Sequence, residues 1–132
     1  MPSQVLPKKF FNMLPLPIIV VKRLDDSLNH PLVFVNDKFT EELGWTQADI
    51  PDKNTWWGKA YPDADYQHVV ERQWELEMLS AVENGEGFVF IDVNIMSKRG
   101  EEIRYKVYTE INSQLVPGYY VVAFERIADP FA

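Results

Sequence analysis

The fold turns on residues 87–112, GFVFIDVNIMSKRGEEIRYKVYTEIN. From Glu102 onward apolar and polar residues alternate: Ile103, Tyr105, Val107, Thr109 and Ile111 share one face, and Glu102, Arg104, Lys106, Tyr108 and Glu110 the other. Successive side chains leave a pleated strand on opposite sides, so this pattern predicts a strand whose first set faces the core. Residues 87–97 read as its antiparallel partner. A two-residue loop closed by Lys98 and Glu101 would set Ile95 opposite Arg104 and turn the two apolar sets to opposite sides. A three-residue loop closed by Lys98 and Glu102 sets Ile95 opposite Tyr105, Val93 opposite Val107 and Ile91 opposite Thr109, and this register is expected. It leaves Phe88, Phe90, Asp92 and Asn94 on the outer face with Tyr108, joined by Tyr119 and Val121 from a third strand over residues 118–127. Asp92 is then expected opposite Tyr108, with Lys106 and Glu110 diagonal, in a structural polar contact. An outer face so rich in rings needs a cover.

Upstream, Asp63 is a good N-cap for a helix from Ala64 to about Asn84, and Asp65 suits the positive end of its dipole. Tyr66, Val70, Trp74, Met78 and Ala81 or Val82 recur at helical spacing, which predicts one apolar face and a charged back, ended by Gly85. Residues 17–24 and 32–35 read as two strands joined by turn chemistry, and Asn36 caps a short helix that ends at Gly44. Residues 8–14 form a short amphipathic helix stopped before Pro15, with Phe10, Phe11 and Leu14 on one face. It is the nearest candidate cover for the outer face, a second subunit the other. Between Trp45 and Pro62 no period persists, which predicts loops and single turns.

Composition narrows the function. The chain has 132 residues, a single-domain length, and its net charge of −7 is spread along it. Its basic residues cluster only as pairs, Lys8-Lys9, Lys22-Arg23 and Lys98-Arg99, so no nucleic-acid footprint is expected. With no cysteine, disulfides, thiolate catalysis and cysteinyl flavin adducts are excluded. The apolar run after Lys8-Lys9 contains two prolines, lacks a small-residue cleavage site and is too short to span a bilayer, so membrane insertion is not expected and a cytoplasmic location is.

The element order resembles that of a PAS sensory domain, and local motifs agree. LVFVNDKFTEELGW (residues 32–45) is similar to the family's strand ending in Asn with a following aromatic and a Gly-aromatic pair. KRGEEIRYKV resembles its Lys-Asp-Gly-x-x-Arg turn, with Arg99 where Asp is usual. WWGKAYPDADYQHVVERQW resembles a Trp-Trp/Tyr-Pro-Asp subgroup of bacterial signalling proteins. The resemblance covers about Leu14 to Asp129 and implies a PAS-like α+β fold: a five-stranded antiparallel sheet with short helices and one long helix on one face and the N-terminal amphipathic helix on the other. It divides the chain into a cap and lead-in (1–16), the PAS domain (17–129) and the start of a linker (130–132). The family often closes its last strand with Asp-Ile-Thr. Here the strand closes with Arg126-Ile127-Ala128-Asp129, so Arg126 and Asp129 are the candidate output junction.

The adjacent Trp56 and Trp57 cannot fill one hole, because neighbouring residues of a helix or a strand point in different directions. Burying one such ring removes about 150–250 Å² from water, worth about 4–6 kcal/mol. Two readings stay open. In one, the rings pin an irregular loop onto the long helix. In the other, implied by the resemblance, Trp57 and Tyr61 wall a small-molecule pocket against Val93, Tyr105, Val107 and Phe124, with Phe39 and Val70 also candidates.

No catalytic set is assembled: the carboxylates fall in turns or on charged faces, and no Gly-rich phosphate loop or serine elbow exists. His68 with Glu71 supplies only two metal ligands, and His68 falls on an exposed-reading face, which argues against haem. His30 sits in a turn and carries no partner signal. The resemblance implies a sensory and dimerisation module of a bacterial signal-transduction protein. It would bind a ligand of unknown identity, form a homodimer through Phe10, Phe11 and Leu14, and regulate a covalently linked C-terminal output domain, a diguanylate cyclase (GGDEF) or a histidine kinase. The alternatives are a ligand-free PAS assembly module and a small α+β cavity enzyme. The enzyme would need a carboxylate or histidine in the inward set, which has none.

Overall fold

Nine elements follow one another along the chain: α1 (Lys8–Met13), β1 (Ile18–Lys22), β2 (Leu32–Val35), α2 (Asp37–Leu43), α3 (Lys53–Ala60), α4 (Ala64–Glu83), β3 (Phe88–Met96), β4 (Glu102–Glu110) and β5 (Tyr119–Arg126). The computed structural model describes residues 6–112 and 116–127. The strands form one antiparallel sheet in the order β2-β1-β5-β4-β3. β5 is made last yet lies in the middle, joining the N-terminal hairpin to the C-terminal one. Helices α2, α3 and α4 bury Phe39, Trp56 and Val70 against one face of the sheet, and α1 buries Phe11 against the other. This is the expected PAS-like α+β arrangement.

The β3–β4 hairpin has the expected three-residue loop and the expected faces, but its register is displaced by two residues. Ile95 pairs with Ile103, Val93 with Tyr105, Ile91 with Val107, and Asp92 with Lys106 rather than Tyr108. The reason is Gly100. A three-residue hairpin loop needs a left-handed residue in its last position, where glycine pays no Cβ penalty. Gly100 adopts φ +87° there, its N–H bonds to the Ser97 carbonyl at 3.0 Å, and the Ser97 N–H bonds to the Glu101 carbonyl. Ser97 and Glu101, not Lys98 and Glu102, therefore close the loop. Asp92 lies exposed on the outer face.

Asn36 does more than cap α2. Its Oδ1 accepts from the N–H groups of Phe39 and Ile18 at 3.0 and 2.8 Å, and its Nδ2 donates to the carbonyls of Phe11 and Leu16. One buried amide thus satisfies four backbone groups and fastens α1, β1 and α2 together. At the other end of α2, Gly44 takes φ +82°, and a Cβ there would lie 3.0 Å from the Lys98 Cβ. The Lys98 N–H donates to the Leu43 carbonyl, and the Trp45 indole donates to the Met96 carbonyl, so α2 is docked on the β3–β4 turn.

Two expectations fail on this side of the sheet. Residues 53–60 are a helix, not loops: the Asp52 side chain accepts from the Thr55 N–H at 2.8 Å, a good N-cap. Asn54 and Gly58 are poor helix formers, and so short a helix shows no apolar period, so only the cap announces it. In α4, Asp63 caps as expected and Val70 and Ala81 are buried, but Val69, Leu76, Leu79 and Val82 are exposed. Its back is therefore not purely charged.

Candidate ligand cavity

Between the sheet and α3 the inner packing leaves a cavity of about 50 Å³. Its floor is the sheet: Ile19 and Val21 of β1, Ile91 of β3, Val107 and Thr109 of β4, and Val122 and Phe124 of β5. Its roof is Trp56, Trp57 and Lys53 of α3 with Tyr61 and Trp74. The start of α3 is held in place by the loop after β1. The N–H of Lys53 donates to the His30 carbonyl and that of Asn54 to Asn29 Oδ1, both at 2.9 Å.

Trp56 is the ring that enters the core, meeting Phe39 edge-on at 5.3 Å and Phe124 at 6.0 Å. Trp57 stands at the boundary, edge-on to Tyr61 at 5.2 Å. The Lys53 ammonium lies 5.6 Å from the Trp57 ring and 5.5 Å from the Trp74 ring. These three side chains also line a surface groove of about 440 Å³ with Leu28, Gln67, Glu71 and Glu75. They form the partition between groove and cavity.

Among the described residues Lys53 is the only charged one that lines the cavity. Burial lowers its pKa, partly offset by the field of Glu71. Burial also pushes the Tyr61 phenol up, and the Tyr120 phenol up to about 12 against the opposing charge of Arg23. Both phenols stay protonated at neutral pH. Tyr120, also on the lining, shares a 3.0 Å hydrogen bond with His30 Nδ1.

Of the residues read from sequence as pocket candidates, Trp57, Tyr61, Val107 and Phe124 line the cavity. Phe39, Val70, Val93 and Tyr105 are fully buried elsewhere in the same core. The Tyr105 hydroxyl donates to Glu42 at 2.8 Å, away from the cavity. Lys53, Trp56, Trp74 and Tyr120 went unnamed as pocket residues. Lys53 and Trp57 are four apart and so share a helical face, a signal open only to a reader who had accepted Asp52 as an N-cap. Phe11 is buried against its own sheet, Leu14 is half-buried and Phe10 is exposed. Arg126 pairs with Tyr105 at the end of β5, and Asp129 lies outside the described residues. His68 is exposed, and among the described residues no group of three or more His, Cys, Asp and Glu could hold a metal ion. Among the described residues no helix is long and apolar enough to cross a membrane.

No family model matches the chain, and neither does any curated protein. Solved structures do. The Rhodobacter sphaeroides LOV protein superposes with a TM-score of 0.61 at 13% identity, over 92% of this chain and 65% of that one, so this chain spans just under two thirds of that protein's length. The LOV domain of a blue-light activated histidine kinase from Erythrobacter litoralis gives 0.58 at 20% identity, over 88% of this chain and 99% of that domain. A structure described as an RNA-binding Light-Oxygen-Voltage receptor gives 0.58 at 14% identity, over 96% of this chain and 36% of that one. The fold is therefore PAS/LOV-like.

A further similar structure, with a TM-score of 0.63 at 12% identity, is described with a flavin analogue and a Light-Oxygen-Voltage domain, and the cavity here does not fit a flavin. Even a single benzene ring occupies an apolar cavity of about 150 Å³, whereas about 50 Å³ is open here between Trp56 and the sheet. The chain also has no cysteine for an adduct.

Proposed function

We propose that the chain is a PAS-type sensory and dimerisation module of a bacterial signal-transduction protein, one that binds a small molecule in the cavity beneath α3 and regulates a C-terminal output domain. The observation that carries this reading is the cavity itself, apolar with a few polar groups converging on it, the ordinary chemistry of a small-molecule site. The PAS/LOV-like fold supports it. A ligand there touches α3 and the central strand β5 at once, so it can shift the packing between them, but only by as much as its affinity differs between the two arrangements. The output domain is a histidine kinase, as in the Erythrobacter protein, or a diguanylate cyclase, and the location is cytoplasmic. A second copy would sit on the outer face of the sheet, where Phe10 is exposed and Phe88, Phe90 and Tyr108 form a bare cluster of rings.

Native mass spectrometry beside a denatured sample of the same preparation tests the reading. Extra mass retained only in the native state supports it and identifies the ligand. A clean apo dimer favours the second reading, a ligand-free assembly module, for which the small volume of the cavity already speaks.

A further inference from the structure

Among the described residues the ammonium of Lys53 has no hydrogen-bond acceptor; it meets the faces of Trp57 and Trp74 and the more distant charge of Glu71. Its donors therefore still face the water of the groove, and a part-buried ammonium at the edge of an apolar hollow, with no protein acceptor to compete, is free to take one from a ligand. The hollow is closed on its far side by Ile19, Ile91 and Val122. Building on the cavity reading above, we propose that the ligand is a short-chain monocarboxylate, its alkyl tail in the cavity and its carboxylate on Lys53 Nζ.

Size and charge both point to this class. The open space of about 50 Å³ exceeds the ~10–15 Å³ needed for one water and falls short of the ~150 Å³ that takes benzene, which suits propionate or butyrate and rejects aromatic acids. Lys53 is the one charge on the lining among the described residues, and a carboxylate there makes a charge-assisted hydrogen bond beside two indole rings. A cationic ligand would have to displace Lys53 from its seat. A neutral ligand such as an amide would offer Lys53 only an uncharged acceptor, and so a weaker bond.

The test compares butyrate with butyramide, which has nearly the same shape and no charge, on wild type and on Lys53→Met. Tryptophan fluorescence and the methyl resonances of Ile19, Ile91 and Val122 are the readouts. Butyrate should bind wild type saturably and at least about tenfold more tightly than butyramide, the smaller end of what a hydrogen bond to a charged group contributes. In Lys53→Met that preference should vanish. Equal binding of the two probes to wild type overturns the carboxylate assignment and leaves the cavity reading standing; this arm does not depend on the variant folding. If neither probe, nor xenon pressed into the sample, shifts those methyls, the cavity reading falls and the assignment with it.

Discussion

The outer face of the sheet has two halves, and they are finished differently. Over β1, β2 and β5, α1 seats Phe11 on Ile18 and Val20, with Phe34, Tyr119 and Val121 around it, and Phe11 is 1% exposed. Over β3 and β4, Phe88 and Phe90 stand 47% and 48% exposed beside Tyr108, with ring centroids 5.8–6.5 Å apart and no helix of the described chain packed over them as α1 is over Phe11. The same residue type thus closes a core on one half and faces solvent on the other. Composition cannot tell such halves apart; the reach of one six-residue helix does.

The comparison is broken most forcefully at Phe11. Phe11→Ala should cost about 3–5 kcal/mol, the range for emptying a buried phenylalanine site, read as a lowered midpoint in urea. The same change at Phe90 should cost under ~1 kcal/mol, since a half-exposed ring leaves no cavity. Comparable losses would mean that the bare half is covered in solution.

Next in size comes Asn36, which joins the covered half to the rest. Asn36→Ala strands the N–H groups of Ile18 and Phe39 and the carbonyls of Phe11 and Leu16. Water can reach some of these once α1 loosens, so about 2–3 kcal/mol is expected rather than the full sum. Amide exchange should rise across α1 and β1 while the β3–β4 hairpin stays protected.

How far the sequence shows this follows from where each signal lives. Local chemistry is legible: the caps at Asn36 and Asp63, the αL ends at Gly44 and Gly85, and the alternation of β4 all stand where they read. What fails is relational. The β3–β4 register turns on which residue takes the left-handed place, and period-two patterning is blind to a slip of two because the faces are preserved. The cavity depends on that register and on α3, a helix with a clear cap and no period. With both displaced, Val93 and Tyr105 read as walls and Lys53 draws no reading at all. Likewise, the helical period in α4 marks Ala81 and Val82 as alternatives, and only packing chooses Ala81.

A smaller effect separates the halves by chemistry. The β3–β4 turn is clamped by charge: Lys98 Nζ meets Asp49 at 2.9 Å, and the Thr46 N–H with Lys98 holds the Asp49 pKa at about 2. A carboxylate whose folded pKa lies below its unfolded value of ~3.9 contributes stability that is complete above that value and is lost as pH falls through the folded pKa. Between about pH 4 and pH 2, amide exchange at Arg99 and Gly100 should therefore quicken, and in Asp49→Asn it should be fast throughout. Among the described residues the apolar clamp at Phe11 packs no carboxylate and should not respond.

The smallest change in stability goes with the question the bare half raises. Phe88 and Phe90 occupy exposed strand positions, where threonine keeps β-propensity and removes the apolar surface, so the double substitution Phe88→Thr/Phe90→Thr should move stability by under ~0.5 kcal/mol. Its effect on assembly should be large if the second copy docks there. Two phenylalanines and Tyr108 cannot themselves fill the ~1,200 Å² of a standard interface. They are placed to be its anchors, central and aromatic, with Lys106 over the Phe90 ring at 4.9 Å and Glu125 on the Tyr108 hydroxyl as a polar rim. Sedimentation of wild type as a dimer and of the double variant as a folded monomer would put the dimer contact on this half, away from the buried Phe11. If both sediment as dimers, the contact lies elsewhere, with exposed Phe10 the next residue to change. A wild-type monomer would overturn the dimer and leave these rings to contact a different chain.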